Sequence, residues 1–378
     1  MDMQKVSSEA LQTATATFGG VFMGLNILHL VSGEGKAGST KSVILLIKGL
    51  IKRGHRVIVA ASPESYNYSL MKEAGFEVVS IEMKSRYDFK SARKIVNLCQ
   101  QEKIDIINAH LSTDRYLAIW AKFLGAKAKI ILTRRAISRS SRLISFLYLI
   151  GADKIIAVSK AVKESLCSQG IPDDLIEIIY NGIPNDFGSV NPQAIEELKR
   201  RYNISTEDKI IGMIARWDKL KGHDTLFAAL KELKGDYKVL LVGIDESFWP
   251  EIEAFGLGDR VILCGFQKDI APFYHLMTIK VLPSFAEGFP LSILEAMSCG
   301  VCVLGSNIPS ISEIIEPNKN GLLFETGNSE DLAEKIKVLL NDETLRIRLA
   351  KQGEKSVHER FSIERTVEAT EKIYSSGA

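Results

Sequence analysis

The chain has 378 residues, of which 46% are hydrophobic, and its 48 Lys and Arg almost balance its 46 Asp and Glu. This length and composition indicate a globular protein of two domains rather than a disordered chain. The sequence contains no run of about 18 apolar residues, which excludes a helix that spans a membrane.

Residues 1–25 lack the basic segment and the long apolar core of a signal peptide, so we interpret them as a disordered leader outside the fold. The five cysteines are scattered through apolar or helical surroundings, which is typical of a protein of the reducing cytosol. Cys299 and Cys302 form a C-x-x-C pair, but a zinc site needs a second pair that the sequence lacks. We therefore expect two buried core thiols and a cytoplasmic protein.

Short runs rich in β-branched residues follow the leader and alternate with amphipathic segments. In the front half the runs are "NILHLV", "RVIVAAS", "EVVSIE", "DIINAH", "KIILTRR" and "KIIAVS". In the rear half they are "KIIGMIAR", "KVLLVG", "RVILCG", "IKVLPS", "VCVLGS" and "GLLFET". Buried strands separated by helices are typical of parallel sheets built from βαβ units. The sequence therefore predicts an α/β chain with two doubly wound, Rossmann-like domains that face each other across a deep cleft.

The first series of runs predicts a domain of residues 26–187, and the second series predicts a domain of residues 188–355. Residues 356–378 form a tail helix that either crosses back onto the first domain or caps the second. Between Leu25 and Tyr180 the chain has 24 Lys and Arg against 14 Asp and Glu, which makes the front half basic and the rest acidic. This asymmetry indicates that the two domains face different partners, unless it reflects only solvated lysines.

Two cations follow the strand in "MIARWDKLKGHD". Arg216 and Lys221 lie five residues apart on a loop at the strand's carboxyl end. They could converge on a diphosphate, which the forked Arg and the point charge of Lys both bind well. The alternative is an ordinary solvated loop, since Lys219 lies there too.

The stretch "PSFAEGFPLSILEAMSCG" (residues 283–300) favours the diphosphate. Pro290 marks the start of a helix, and Gly288 lets the chain approach a ligand closely. The amides of Gly288, Phe289 and Leu291 are then free donors at the positive end of the helix dipole, where they can hold an anion, whereas Pro290 has no N–H. Glu295 points back toward the same end and can accept hydrogen bonds from vicinal hydroxyls, as an acidic residue does for ribose. A nucleotide diphosphate satisfies all of these groups.

These motifs resemble the family-4 retaining glycosyltransferases of the GT-B fold, over residues 26–375. The resemblance is based on "LIKRGHRV", "NAH", "AVSKAV", "IYNGIP", "IARWDKLKGHD", "VLPSFAEGFPLSILEAMSCGVCV" and "GLLFE". The two glutamates with seven residues between them, together with the Arg/Lys pair, are the most specific part. The resemblance implies a nucleotide-sugar site in the second domain and an acceptor site in the first.

The resemblance also implies roles for single residues. Arg216 and Lys221 match the cations that hold the donor diphosphate, Glu295 matches the carboxylate that binds the ribose, and His110 matches a histidine that contacts the donor sugar. With Glu287, which lines the transferred sugar, we take His110, Arg216 and Lys221 as the catalytic group. The other positions expected against the donor are Gly38, Gly265, Phe266, Gln267, Gly288, Phe289, Pro290 and Leu291.

The sequence departs from the family at one loop. After the first strand the family usually has GG-x-E, whereas this chain has Ala37-Gly38-Ser39-Thr40, so Thr40 replaces the acidic residue. We expect this change to affect contacts with the acceptor rather than donor binding. His55 in "RGH" also matches a recurrent family position, but we expect it to be structural.

No two aspartates are spaced as D-x-D, the usual ligands of a metal-bridged diphosphate. We therefore expect no metal and no cofactor beyond the nucleotide-sugar co-substrate, with a UDP-sugar favoured over a GDP-sugar. Arg216, Lys221 and the helix amides would stabilise the leaving group. The resemblance implies a hexosyl transfer with retention, by front-face attack through an oxocarbenium-like state.

Residues 133–151, "TRRAISRSSRLISFLYLIG", place four arginines beside an apolar, aromatic stretch. This segment either rests on an anionic membrane, with Phe146 or Tyr148 in the interface, or forms a buried helix. Arg134 and Arg135, at a strand end, could instead bind a phosphorylated or acidic acceptor sugar. We favour an acceptor from the bacterial envelope, such as a lipopolysaccharide core, and a protein that is peripheral at the inner face of the plasma membrane.

Two other classes of function share the cleft. One is a nucleotide-sugar hydrolase or epimerase, and the other is a non-catalytic nucleotide-sugar-binding protein. Nucleic-acid binding is not expected, because the basic region lacks an aromatic-interleaved module.

Overall fold

A computed structural model of the chain describes residues 24–33, 38–137 and 142–376. It contains two parallel sheets, each flanked by helices. The predicted fold class, two doubly wound α/β domains, is therefore confirmed. Residues 1–23 of the predicted leader, together with Ala37 and Arg139, lie outside the described residues.

The first sheet has the strand order β3-β2-β1-β4-β5-β6-β7, and every pairing is parallel. Its strands are β1 (Asn26–Leu30), β2 (Arg56–Ala61), β3 (Glu77–Ser80), β4 (Ile106–Ala109), β5 (Lys129–Arg134), β6 (Lys154–Ala157) and β7 (Ile176–Ile178). Its helices are α1 (Gly38–Lys52), α2 (Tyr66–Glu73), α3 (Phe89–Gln101), α4 (Ser112–Phe123), α5 (Arg142–Gly151) and α6 (Lys160–Cys167).

The second sheet repeats this order as β10-β9-β8-β11-β12-β13, again with parallel pairings. Its strands are β8 (Ile210–Ile214), β9 (Lys238–Val242), β10 (Val261–Leu263), β11 (Ile279–Leu282), β12 (Cys302–Ser306) and β13 (Leu322–Phe324). The helices that follow the first domain are α7 (Pro192–Arg201), α8 (His223–Glu232), α9 (Trp249–Glu253), α10 (Ala271–Tyr274), α11 (Leu291–Ser298), α12 (Pro309–Ser312), α13 (Ser329–Asn341), α14 (Glu343–Arg360) and α15 (Ile363–Ser375).

The strands form where apolar, β-branched residues run without interruption. In β9, "KVLLV", the four residues after Lys238 are buried on both faces of the sheet. Such continuous burial is possible because helices cover both faces of a parallel sheet. All twelve predicted runs contain a strand. The three-residue strand β7 was not anticipated, because its "IEI" pattern is too short to show a period.

Each sheet has a topological switch point, where the chain leaves the central strand in opposite directions. In the first sheet it lies between β1 and β4, and in the second it lies between β8 and β11. Loops at the carboxyl ends of the strands flanking a switch point form a crevice, which is where open α/β sheets bind ligands. The residues that follow β4, β8 and β11 are His110, the Arg216–Lys221 segment and the Glu287 loop. The topology therefore places all four predicted catalytic residues at the two crevices.

The tail helix α15 crosses back and packs on the first domain. Its Val367 lies against Gly49 of α1, where an added Cβ would be 2.3 Å from the valine. Glu371 lies 3.0 Å from Nε2 of His55, which gives that histidine a structural role. Deep in the sheet, Nδ2 of Asn108 donates to the hydroxyl of Tyr374 at 2.6 Å. The chain thus ties its last helix to the domain with which it began.

The contact between Asn108 and Tyr374 predicts a measurable loss of stability. Tyr374→Phe leaves the fully buried Asn108 amide without its acceptor, which should lower the free energy of unfolding by about 1–3 kcal/mol. Urea denaturation of the variant checks this value. Tyr87→Phe is the control, because Tyr87 is exposed and should lose little. Equal stabilities of the Tyr374 variant and the unmodified chain would contradict the assigned role of the tail.

Candidate active site

Lys221 and Glu287 meet at the switch point of the second sheet. The Lys221 ammonium lies 2.7 Å from Oε1 of Glu287, and the Ser284 hydroxyl donates to the same oxygen at 2.7 Å. Gly222 makes this approach possible, because its φ is +72° and a Cβ there would be 2.0 Å from the carbonyl oxygen of Pro283. The sequence places these two charges 66 positions apart, and the fold makes them an ion pair.

Arg216 lies on the same loop but has a different partner. Its guanidinium bonds to Asp218 at 3.1 Å and is largely exposed to solvent. Asp218 also accepts from the amide of Leu220, which shapes the short turn that carries Lys221. Arg216 is therefore available at the rim of the crevice.

Glu295 is the most buried carboxylate of the predicted site, with 3% of its surface exposed. One oxygen lies 2.6 Å from the ammonium of Lys41, and the other accepts from the Tyr274 hydroxyl at 2.8 Å. Lys41 belongs to α1 of the first domain, and its ammonium also lies 4.5 Å from the ring centroid of Phe187. The Lys41–Glu295 pair therefore crosses the cleft and joins the two domains.

The loop before α11 contacts the first domain directly. At Gly288 an added Cβ would lie 1.9 Å from the carbonyl oxygen of Arg135, so only glycine fits. Within the described parts of the chain, the amides of Gly288, Phe289 and Leu291 have no hydrogen-bond acceptor. Pro290 precedes the first residue of α11 and has no side-chain cap. The start of α11 thus offers donors to an anion in the crevice.

Two further groups of predicted donor residues lie at strand ends. Gly265 has a φ of +58°, and its backbone bonds to Ile244 and Gly243 at 2.8 and 2.7 Å. Phe266 is half-exposed, and the side-chain amide of Gln267 donates to the carbonyl of Cys264. Gly38 is the first residue of α1. These positions keep their expected role in donor binding as a prediction.

His110 follows β4 and is part of a buried chain of polar groups. Its Nε2 lies 2.7 Å from Nδ1 of His29, and its Nδ1 lies 3.4 Å from Nη2 of Arg135. Because a guanidinium can only donate, Nδ1 of His110 accepts and Nε2 carries the proton. Burial, followed by the charge of Arg135, holds the pKa of His110 well below its usual range. His110 is therefore a neutral imidazole of fixed tautomer.

The two predicted acceptor arginines differ in their surroundings. Arg134 is only 4% exposed and lies beside Arg115 and Tyr148, where burial lowers the pKa of its guanidinium. Arg135 faces α1 and donates to the Ser42 hydroxyl at 2.6 Å and to Oδ1 of Asn181 at 2.8 Å. Only Arg135 lies beside the loop of the second domain that carries Gly288.

The interpretation of Tyr148 as a membrane-interface residue is wrong. Tyr148 is 1% exposed, and its hydroxyl accepts from Nε of Arg115 at 2.9 Å, so both its ring and its polar end are satisfied inside the domain. Phe146, on the opposite face of α5, is exposed.

The two cysteines of the C-x-x-C pair have no reactive role in the site. Cys302 is buried in β12, and Cys299 is half-buried at the end of α11. Burial raises the pKa of both thiols to about 12, so neither is a nucleophile near neutral pH. The expected core position is confirmed for Cys302 and is only partial for Cys299.

Several polar residues of the site were not singled out in the sequence. Lys41 lies in the first turn of α1, and the only signal for it was a cation directly after the Ala37-Gly38-Ser39-Thr40 segment. Lys280 lies in the middle of β11, fully buried, and its Nζ donates to the carbonyl of Val281 at 2.7 Å. Burial lowers the pKa of Lys280 to about 7, while the Glu287 carboxylate acts in the opposite direction. A lysine inside an apolar strand, "IKVL", was the signal for it.

The contact at Gly288 predicts how the domains respond to a single methyl group. Gly288→Ala places a Cβ against the Arg135 carbonyl. The carboxyl ends of the strands in the two sheets then cannot approach each other as closely. Small-angle scattering should then give a larger radius of gyration than for the unmodified chain. Gly38→Ala is the matched control, since its added Cβ meets nothing within 4 Å. An unchanged radius for Gly288→Ala would contradict the close contact.

Comparisons with known proteins identify the family of the chain. The model for Glycosyltransferase Family 4 matches residues 37–187, and the model for Glycosyl transferases group 1 matches residues 194–356. The chain is 27% identical to the N-acetyl-alpha-D-glucosaminyl L-malate synthase of Bacillus anthracis, over 93% of this chain and 96% of that protein. It is 26% identical to the capsular polysaccharide biosynthesis glycosyltransferase CapM of Staphylococcus aureus, over 76% and 81% of the two chains.

Solved structures share the fold. A glycosyltransferase from Rickettsia africae superimposes with a TM-score of 0.86 and 22% identity, covering 94% of this chain and all of the other. Anabaena HepE, solved with UDP-glucose, gives a TM-score of 0.84 at 22% identity over 93% of this chain and all of HepE. The two family models together cover twelve of the thirteen strands, and the chain therefore belongs to the glycosyltransferases of the GT-B fold, with a family 4 domain followed by a group 1 domain.

Proposed function

We propose that this glycosyltransferase moves a hexose from a UDP-sugar to a glycan or glycolipid acceptor, with retention of configuration and without a metal ion. The observation that carries the proposal is the arrangement at the second switch point. There Lys221, the loop of Glu287 and the free amides at the start of α11 share one crevice. A diphosphate needs such a combination of a point charge and aimed donors.

The donor is expected to bind mainly to the second domain. Lys221 and the amides before α11 lie where the β-phosphate leaves, and Arg216 can turn from Asp218 toward it at the rim. Glu295 would accept hydrogen bonds from the ribose hydroxyls, with Tyr274 holding the carboxylate in place. Donors fixed before the reaction stabilise the developing charge without reorganisation, which contributes several kcal/mol to catalysis in enzymes of this kind.

The first domain contributes neutral and cationic groups to the reacting centre. His110 brings no charge to this centre, because burial keeps it neutral, and its one N–H is directed at Nδ1 of His29. Asp114, the carboxylate closest to it in the chain, is fully buried and accepts from the amides of Ser32 and Leu111. It is thus engaged as a helix cap and is not placed as a nucleophile. This favours front-face attack over a covalent glycosyl-enzyme.

The acceptor proposal is a bacterial envelope polysaccharide or lipopolysaccharide. Support comes from the functions of relatives, which include CapM in capsular polysaccharide biosynthesis and the lipopolysaccharide 1,6-galactosyltransferase of Escherichia coli, 27% identical over 48% of this chain and 50% of that protein. A hydrolase or epimerase would instead release or invert the sugar, and a binding protein would do neither. Mass spectrometry of the products from a UDP-sugar and an acceptor fragment separates the three.

The role of Lys221 can be tested by one substitution and a neighbouring control. Lys221→Ala removes a charge-assisted contact to the leaving phosphate and should lower transfer by about 100-fold or more. Lys219→Ala, on the same turn but exposed, should retain most of the activity. If both variants lost activity equally, the loop would matter only as a solvated charge.

The ribose role of Glu295 predicts a change in binding. Glu295→Gln keeps the shape of the side chain but accepts fewer hydrogen bonds and loses the pair with Lys41. Its affinity for UDP should fall by about tenfold, as measured by calorimetry, whereas its affinity for inorganic pyrophosphate, which lacks a ribose, should change little. A variant that binds UDP as tightly as the unmodified chain would refute the ribose contact.

We also propose that α5 rests on the anionic inner face of the plasma membrane. Phe146, Leu149 and Ile150 are exposed along one face of this helix, and the domain around it is basic. Apolar side chains beside basic residues bind to anionic interfaces. Within the described residues, no helix has the length and apolarity to span a bilayer.

The membrane proposal predicts salt-sensitive binding to vesicles. Phe146→Ser with Ile150→Ser should reduce sedimentation with anionic phospholipid vesicles. High salt should weaken the binding of the unmodified chain, since exposed charges more than about 10 Å apart are already largely screened at 0.1 M ionic strength. Ile347→Ser is the matched control, because it removes an exposed apolar side chain from α14 of the other domain. Equal sedimentation of all three proteins would exclude α5 as the contact.

A further inference from the structure

Arg135 carries a positive charge that no acidic side chain balances. Its Nη1 donates to the Ser42 hydroxyl at 2.6 Å and to Oδ1 of Asn181 at 2.8 Å, and its Nη2 lies 3.4 Å from Nδ1 of His110. All three partners are neutral. Across the described ranges of the chain, no carboxylate forms an ion pair with this guanidinium. A half-buried charge without a counter-ion is costly to fold unless a ligand supplies one.

One edge of the Arg135 guanidinium has hydrogen-bonding capacity that the protein does not use. Nε is buried and has no hydrogen-bond partner in the described structure, and Nη2 has only its long contact to His110. Nε and Nη2 form the edge with which arginine binds a carboxylate or phosphate through two parallel hydrogen bonds. The neutral partners on Nη1 hold the opposite edge in place. Arg135 is thus oriented for an oxyanion.

The surroundings of this edge increase the local positive charge. Ser42 lies in the first turns of α1, and its hydroxyl donates to the carbonyl of Ser39 while it accepts from Arg135. The first turn of α1 has no acidic residue, so no side chain of the helix itself offsets its positive end. Lys41, beside Ser42, is already paired with Glu295.

The position of Arg135 assigns the anion to the acceptor side. The arginine follows β5 of the first domain, and its carbonyl oxygen touches Gly288 of the loop proposed to line the donor sugar. The donor diphosphate has its own cation in Lys221, on the other domain. An anion held by Arg135 therefore lies across the cleft from the leaving phosphate, next to the sugar.

We propose that Arg135 recognises an anionic group of the acceptor, a carboxylate or a phosphate, through its Nε–Nη2 edge. This inference rests on the proposed function and defines the acceptor as an acidic or phosphorylated compound. Ser42, Asn181 and His110 are positioning residues that hold the guanidinium. Arg134 has no part in this site, because its side chain is buried beside Tyr148.

Inorganic phosphate tests the site without knowledge of the acceptor. With saturating UDP to fill the donor crevice, calorimetry should detect phosphate binding to the unmodified chain. Arg135→Gln should weaken this binding by at least tenfold, and Arg135→Lys should weaken it less, because it keeps the charge but loses the fork. Arg56→Gln is the control, since Arg56 forms surface pairs with Glu77 and Glu102 at the amino end of β2.

A second variant keeps Arg135 itself unchanged. Asn181→Asp places a carboxylate where Oδ1 now lies 2.8 Å from Nη1, so the protein supplies its own counter-ion. We expect this variant to fold, to melt at a temperature no lower than the unmodified chain, and to bind phosphate at least tenfold more weakly.

Two outcomes overturn the assignment. If Arg135→Gln binds phosphate as well as the unmodified chain, Arg135 is not an anion site. If its affinity for UDP falls as much as its affinity for phosphate, the arginine serves the donor instead of the acceptor.

Failure of the unmodified chain to bind UDP would contradict the proposed function instead. Phosphate titrations without UDP, compared between Arg135→Gln and Lys221→Ala, would then still decide whether Arg135 binds an anion.

Discussion

The structure depends on the close contact between the carboxyl edges of two parallel sheets. Gly288 lies against the Arg135 carbonyl with no room for a methyl group, and Lys41 reaches across to Glu295 at 2.6 Å. Without this contact the two switch points would be separate crevices on separate domains. With it, the groups that follow β4, β5, β8 and β11 surround one space. The tail helix α15 supports the contact by returning to the first domain, where Tyr374 bonds to Asn108.

The charges on the two sides of the cleft are balanced differently. On the second domain the two predicted site carboxylates each pair with a cation, Glu287 with Lys221 and Glu295 with Lys41. Lys280 adds a further buried amine behind them, whose pKa is lowered to about 7 by burial. On the first domain Arg135 has only neutral partners. A donor diphosphate would therefore compete with internal ion pairs, whereas an acceptor anion would meet a charge that is already oriented.

Much of the fold followed from periodicity, because buried parallel strands are continuous apolar runs that differ clearly from the amphipathic helices between them. The three-residue strand β7 carries too little pattern to be recognised. The sequence left the position of Tyr148 open, because an apolar helix beside arginines has the same composition whether its aromatic residue faces lipid or the core. The hydrogen bond from Arg115, 33 positions away, shows that Tyr148 faces the core. No pattern in the sequence indicates this bond.

The candidate site was predictable where it follows local motifs. The Arg216–Lys221 spacing and the glycine loop before α11 are local features, and the structure gathers them in one crevice. Contacts between the domains were not predictable, because nothing local in "GSTK" indicates that Lys41 pairs with a glutamate 254 positions later. The same holds for Asn181 and Ser42, which meet only through Arg135.

The central claim is that protein cations and amides alone hold the nucleotide diphosphate. Calorimetric titration of the chain with UDP in excess EDTA tests it most directly. The account predicts one binding site per chain, with an affinity that is unchanged when Mg²⁺ or Mn²⁺ is restored. Binding that disappears in EDTA and returns with either ion would contradict it.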